Sequence, residues 1–170
     1  KIDTKLVTQF KLGLDRRDGN PAVCIPIYED GKPVNIKYRS IPPREKHYTR
    51  YAGGKTALFN GDVLKSVKDE EIVLITEGEI DAMTLVSMDY TAVGATGGAE
   101  TIQSDWIDRL AKVKHLYIAY DNDQPGESGA KKLAKRLGLE RCYRVKLPVK
   151  DANQFVADGH TKEEFQQCVE

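Results

Sequence analysis

The stretch Ile72-Val73-Leu74-Ile75-Thr76-Glu77-Gly78-Glu79-Ile80-Asp81 is an apolar run that ends abruptly in acids, and Leu116-Tyr117-Ile118-Ala119-Tyr120-Asp121-Asn122-Asp123 repeats the pattern. Near-continuous apolar runs this short suit strands covered on both faces of a parallel sheet. TAVGA (91–95) and CYRVKL (142–147) supply two further strands, and helical stretches near 80–88, 101–112 and 126–137 fall between them. Pro125 suits a first helical turn, Gly138 a helix C-terminus, and 162–169 a further short helix. Strand and helix in alternation predict an α/β domain with a central, mainly parallel four-stranded sheet flanked by helices. In such sheets the reactive groups gather at the carboxyl ends of the strands.

That rule brings Glu77, Asp121 and Asp123 to one edge. Asp121 and Asp123 are two apart, so in extended chain they point the same way and can share one hard cation. Asp81 follows Glu77 by about one helical turn. Crowded carboxylates repel, and bound Mg²⁺ or Mn²⁺ normally relieves the repulsion. A blander account has Asp121 and Asp123 capping the next helix and Glu77 and Glu79 as first-turn glutamates favoured by its dipole. Their joint placement after two strands of one sheet favours the metal. Gly94, Gly97 and Gly98 in VGATGGAE (93–100) suit either a phosphate cradle or tight turns, and Trp106 suits packing.

The remaining chain bounds the possibilities. With 40% hydrophobic and 31% charged residues, the composition is that of a soluble globular protein and excludes disordered and fibrous classes. No apolar run approaches the roughly 18 residues of a membrane span, and the first thirty lack a signal h-region. No membrane association is expected, and the location expected is cytoplasmic or an organelle matrix. Cys24, Cys142 and Cys168 form no CxxC pair, which argues for buried reduced thiols over a zinc ribbon or disulfide framework. Lys1 opens the chain without a preceding Met, as in a piece of a longer protein.

Zero net charge hides an asymmetry: residues 1–70 hold 14 Lys+Arg against 9 Asp+Glu, and 71–170 hold 12 against 17. Residues 22–28 and 34–39 read as a β-hairpin across Asp30-Gly31, and 40–57 as a basic loop with short extended pieces. Across 32–55, Lys32, Lys37, Arg39, Arg44, Lys46, Arg50 and Lys55 face one acid, Glu45. Such a run is commonly a solvated surface; before a metal-binding sheet it suits a grip on a polyanion.

The blocks TEGEIDAMTL (76–85), YDNDQPGESGA (120–130) and LPVKDANQF (147–155), in that order, resemble the TOPRIM domain, especially that of phage primase-helicases and bacterial DnaG-type primases. AVCIPIYEDGKPVNIKYR (22–39) and ALFNGDVL (57–64) resemble the basic subdomain that precedes TOPRIM in primases. The resemblance implies a basic α+β subdomain over 1–70, a TOPRIM metal-binding catalytic domain over 71–156 and a C-terminal helix over 157–170. It implies a DNA primase, an RNA polymerase core that links ribonucleoside triphosphates on single-stranded DNA. Glu77, Asp121 and Asp123 would be catalytic and bind the metal, with Asp81 and Asp151 as further ligands. Lys37, Arg39, Lys46 and Arg50 would hold template and nucleotide phosphates, and Tyr38, His47, Tyr48 and Tyr51 would be available to stack on bases. Asn153 departs from the bacterial type, which has a second aspartate there. A zinc-binding module and a replicative helicase would be partners outside this chain. TOPRIM also serves nucleases, and some relatives are non-catalytic modules of helicases, so both remain alternatives.

Overall fold

The computed structural model describes residues 4–43, 45–98 and 101–169, and the chain divides into two compact units, Lys1–Ala57 and Leu58–Glu170. In the first, helix α1 (Thr4–Gln9) precedes strands β1 (Gly13–Arg17), β2 (Asn20–Glu29), β3 (Lys32–Ser40) and β4 (Tyr48–Arg50). They form an antiparallel sheet in the order β1-β2-β3-β4. Arg17 pairs with Asn20 across Asp18-Gly19, and Glu29 with Lys32 across Asp30-Gly31, with all four turn residues at positive φ. These are two-residue hairpin loops, for which Asp-Gly is well suited because both positions need the left-handed region.

The expected hairpin is therefore β2 and β3. The preceding strand β1 was not legible, because its residues are nearly all exposed and carry no apolar alternation. The expected loop over 40–57 contains β4, and its end is stitched to β3. Buried Asn35 donates to the Lys55 carbonyl at 3.0 Å and accepts from the Ile36 amide at 2.8 Å. A Cβ on Gly54 would stand 2.1 Å from Asn35 Oδ1, so the chain passes there only as glycine.

The second unit holds β5 (Leu58–Phe59), β6 (Ile72–Thr76), α2 (Glu79–Ser87), β7 (Thr91–Ala95), α3 (Ser104–Leu110) and β8 (His115–Ile118). It continues through α4 (Gln124–Leu137), β9 (Cys142–Arg144), α5 (Ala152–Ala157) and α6 (Lys162–Val169). The sheet order is β5-β7-β6-β8-β9: β7, β6, β8 and β9 are parallel, as expected, and β5 runs antiparallel to β7. Two residues give β5 too little length for a periodic signal. Its pairing draws the chain from Leu58 onward into this unit, so the units divide at 57/58 and not near 70.

Val73 and Ile75 join Val93, Leu116, Ile118, Trp106, Leu110, Leu133 and Leu137 in one buried cluster, which settles Trp106 as core. Leu74 alternates to the opposite face. Met83 and Leu85 of α2, Phe155 of α5 and Phe165 of α6 are also buried, with Phe155 and Phe165 meeting edge to face. Each such side chain contributes roughly 1.5–3 kcal/mol of burial. Helix α3 is shorter than expected, β8 ends at Ile118, and α5 was not anticipated. Cys24, Cys142 and Cys168 are free and only half-buried. Among the described residues no helix is long and apolar enough to cross a membrane.

Candidate active site

Strands β6 and β8 are adjacent and parallel, so both carboxyl ends open on the same edge of the sheet. The ladder runs one residue further, with the Ala119 amide donating to the Ile75 carbonyl at 2.8 Å. Glu77 leaves β6, and Glu77 Oε1 accepts the Asp121 amide at 3.2 Å. Behind Glu77, Thr76 Oγ1 donates to the Gly78 carbonyl at 2.8 Å. A Cβ on Gly94 would lie 2.8 Å from that carbonyl, so Gly94 serves the close approach of β7 to this turn. Gly97 accepts from Thr101 Oγ1 through its carbonyl at 2.7 Å, and Gly98 has positive φ; both shape a turn. Glu100, the end of that block, lies outside the described residues.

Asp123 caps α4: its Oδ1 accepts the Gly126 amide at 2.9 Å. Asp81 sits in the first turn of α2, and its Oδ1 accepts the Asn153 amide at 3.0 Å. Asp151 caps α5, accepting from the Gln154 amide at 2.7 Å. Capping and clustering are thus compatible at Asp123 and Asp151. Burial, then the charges of Asp121, Asp123 and Asp81, push the Glu77 carboxyl up to about 7, against the opposing pull of the Asp121 amide. Burial also raises Asp121, while Lys150 lowers it and Asp151 and Asp123 raise it. The five carboxylates singled out from sequence therefore sense one another within one neighbourhood.

In the first unit, β3–β4 pairing sets Lys37 opposite Arg50 and Arg39 opposite Tyr48. Lys37 Nζ lies 5.1 Å and Lys46 Nζ 5.8 Å from the centre of the Tyr48 ring. Lys37 and Lys46 thus approach one aromatic ring, a cation–π arrangement, and Arg39 and Arg50 neighbour it by strand register. Tyr38 is a correction: it is buried, with the Arg17 guanidinium 3.7 Å from its ring centre, and cannot serve as a base platform. Tyr51 and His47 are exposed, and Arg44 lies outside the described residues.

Residues 74–156 match the family described as Toprim-like. The chain is 31% identical over 122 residues to the Gene 57 protein of Mycobacterium phage D29, covering 71% of this chain and 77% of that one. The chain belongs to the Toprim-like family. It is also 27% identical over 177 residues to the Primase homolog protein of Arabidopsis thaliana, across 94% of this chain and 51% of that protein, so it spans about half the length of that relative. In fold, 99% of this Toprim-like chain superposes on 70% of the primase fragment of the bacteriophage T7 primase-helicase protein, with a TM-score of 0.84 at 21% identity.

Toprim-like domains generally use divalent metals, and the donor set here fits one: hard carboxylate oxygens, with Glu77 raised first by burial and then by the charges of Asp121, Asp123 and Asp81. Among the described residues, no three acid, His or Cys side chains already stand in joint ligating geometry. A cation is nevertheless present, since Lys150 Nζ lies 3.3 Å from Asp121 Oδ2.

Four residues of the site were not singled out from sequence. Gly126 packs the first turn of α4 onto the acids: a Cβ there would lie 2.2 Å from the Asp121 carbonyl oxygen and 2.7 Å from Glu77 Oε1. Arg144 places its guanidinium 3.1 Å from the Ile118 carbonyl, 3.2 Å from that of Asp121 and 2.9 Å from Glu127 Oε1. Asn122 donates through Nδ2 to the Leu147 and Val149 carbonyls, and its amide donates to that of Lys150 at 2.8 Å. Lys150 is the fourth. A lone arginine in the otherwise mostly apolar CYRVKL run was the available signal for Arg144; nothing local marked Gly126.

Proposed function

We propose that this chain is the RNA-polymerising core of a DNA primase, joining ribonucleoside triphosphates on a single-stranded DNA template by metal-dependent nucleotidyl transfer. The observation that carries the reading is the meeting of Glu77 and Asp121, with Asp123 beside them, at the carboxyl ends of neighbouring parallel strands. Likeness to proteins named as primases supports it.

Glu77, Asp121 and Asp123 would hold the metal, with Asp81 and Asp151 orienting or completing the set. Bound Mg²⁺ or Mn²⁺ would supply charge neutralisation for the attacking and leaving oxygens. The 3′-hydroxyl oxygen bonds to the α-phosphorus of the next triphosphate, the α–β phosphoanhydride bond breaks, and pyrophosphate leaves. Glu77 either binds a second metal ion or, left unligated, receives the hydroxyl proton. Lys37, Arg39, Lys46 and Arg50 bind the phosphates of template and triphosphate, and this positioning supplies much of the rate. Exposed Tyr51 and His47 offer surfaces for bases. A helicase and a zinc-binding module would act with it, in a bacterial, phage-infected or organellar setting.

The test is incubation with single-stranded DNA, Mg²⁺ and labelled ribonucleoside triphosphates. Labelled RNA is expected, with a loss of at least about 100-fold in Asp121→Asn or Asp123→Asn at unchanged circular dichroism. Shortened DNA without triphosphate dependence would mean a nuclease. Binding without either product would mean a non-catalytic module.

A further inference from the structure

We propose that Lys150 is a resident counter-cation of the acid site, whose ammonium neutralises Asp121 in the metal-free protein and is displaced when a divalent cation enters, so that Lys150 sets the metal affinity. This rests on reading Glu77, Asp121 and Asp123 as metal ligands. Lys150 Nζ lies 3.3 Å from Asp121 Oδ2, and the two side chains differ in exposure, 58% for the lysine against 19% for the aspartate. The aspartate has lost most of its water, whereas the ammonium keeps much of its own and can return to solvent cheaply.

The lysine is delivered to this place by the backbone. The Asn122 amide donates to the Lys150 carbonyl at 2.8 Å, and Asn122 Nδ2 donates to the Leu147 and Val149 carbonyls. The residue between the two aspartates thus clamps the segment that carries Lys150. On the other side of that segment, Asp151 is tied into the cap of α5. An ammonium and a dication cannot both sit on one carboxylate oxygen, because like charges a few ångströms apart repel strongly in a partly buried site. Charge repulsion therefore drives the Lys150 side chain outward when a dication binds Asp121, while its main chain stays clamped.

The experiment is titration of Mn²⁺ into the full chain, followed by electron paramagnetic resonance and calorimetry, for the wild type, Lys150→Met, Lys150→Arg and Lys131→Met. Lys150→Met is expected to bind Mn²⁺ on the order of fivefold more tightly, the range set by a partly exposed ion pair. It is also expected to melt at lower temperature than wild type in chelator at low salt. Lys150→Arg keeps the competing charge and should retain wild-type affinity. Lys131→Met removes one exposed charge from α4 and should change the affinity less than about twofold. Equal or weaker binding by Lys150→Met overturns the proposal, as does equal tightening by Lys131→Met, which would reduce the effect to net charge. Failure of both wild type and Lys150→Met to bind Mn²⁺ removes the metal reading itself, and the proposal with it.

Discussion

At Glu77, burial and three neighbouring acids hold the carboxyl at about 7, well above its ordinary 4.5. Between those values the folded protein binds more protons than the unfolded chain, so in the absence of metal its stability falls as pH rises from 4.5 through 7. Glu77→Gln removes that dependence. Thermal melts in chelator should show the variant gaining on wild type as pH rises from 5 to 8, by on the order of 1 kcal/mol once solvent screening of a half-exposed group is discounted. A gain independent of pH would contradict the assignment. Metal binding to wild type, which needs the ionised form, should strengthen across the same window and release protons. At Gly126, alanine would gain about 1 kcal/mol of helix propensity. The collision with the Asp121 carbonyl should outweigh it, so Gly126→Ala is expected to lose on the order of 1–3 kcal/mol in denaturant melts and to bind Mn²⁺ weakly.

Among the elements, β9 does more than close the sheet's edge. Through Arg144 it holds the end of β8 at Ile118, the Asp121 carbonyl and Glu127 of α4, so three elements meet on one guanidinium. Arg144→Met would remove this donor from the Asp121 carbonyl and the Glu127 carboxylate, while the Ile118 carbonyl would keep the Val145 amide at 3.1 Å. The expected cost is about 2–4 kcal/mol of stability in urea melts, with a further loss of metal affinity because the Asp121 loop is no longer held. Wild-type stability and affinity in this variant would show that the loop is held by Asn122 and the cap of α4 alone. Strands β6 and β7 were legible as runs of apolar residues buried on both faces, and β8 and β9 as short apolar or aromatic stretches between helical ones; β1 and β5 were not, one being exposed and the other two residues long.

For the whole molecule, zero net charge is an average over a basic and an acidic half. Binding of single-stranded DNA should therefore weaken steeply with salt. Replacing both Lys37 and Arg50 with alanine should flatten the slope of log affinity against log salt by about 1.4 if each contacts one phosphate. An unchanged slope in binding titrations would remove them from the interface. The alternation of strands and helices, the acids at the strands' carboxyl ends, the Asp30-Gly31 hairpin and the family were all readable in the chain itself, because burial periodicity, turn dipeptides and motif order are local properties. Only the tertiary structure decided that Tyr38 is core, that 58–65 joins the second unit, and that Gly126, Asn122, Arg144 and Lys150 surround the acids. Those facts depend on contacts between residues up to tens of positions apart, and such contacts follow from how strands and helices pack, which no local pattern of residue types records.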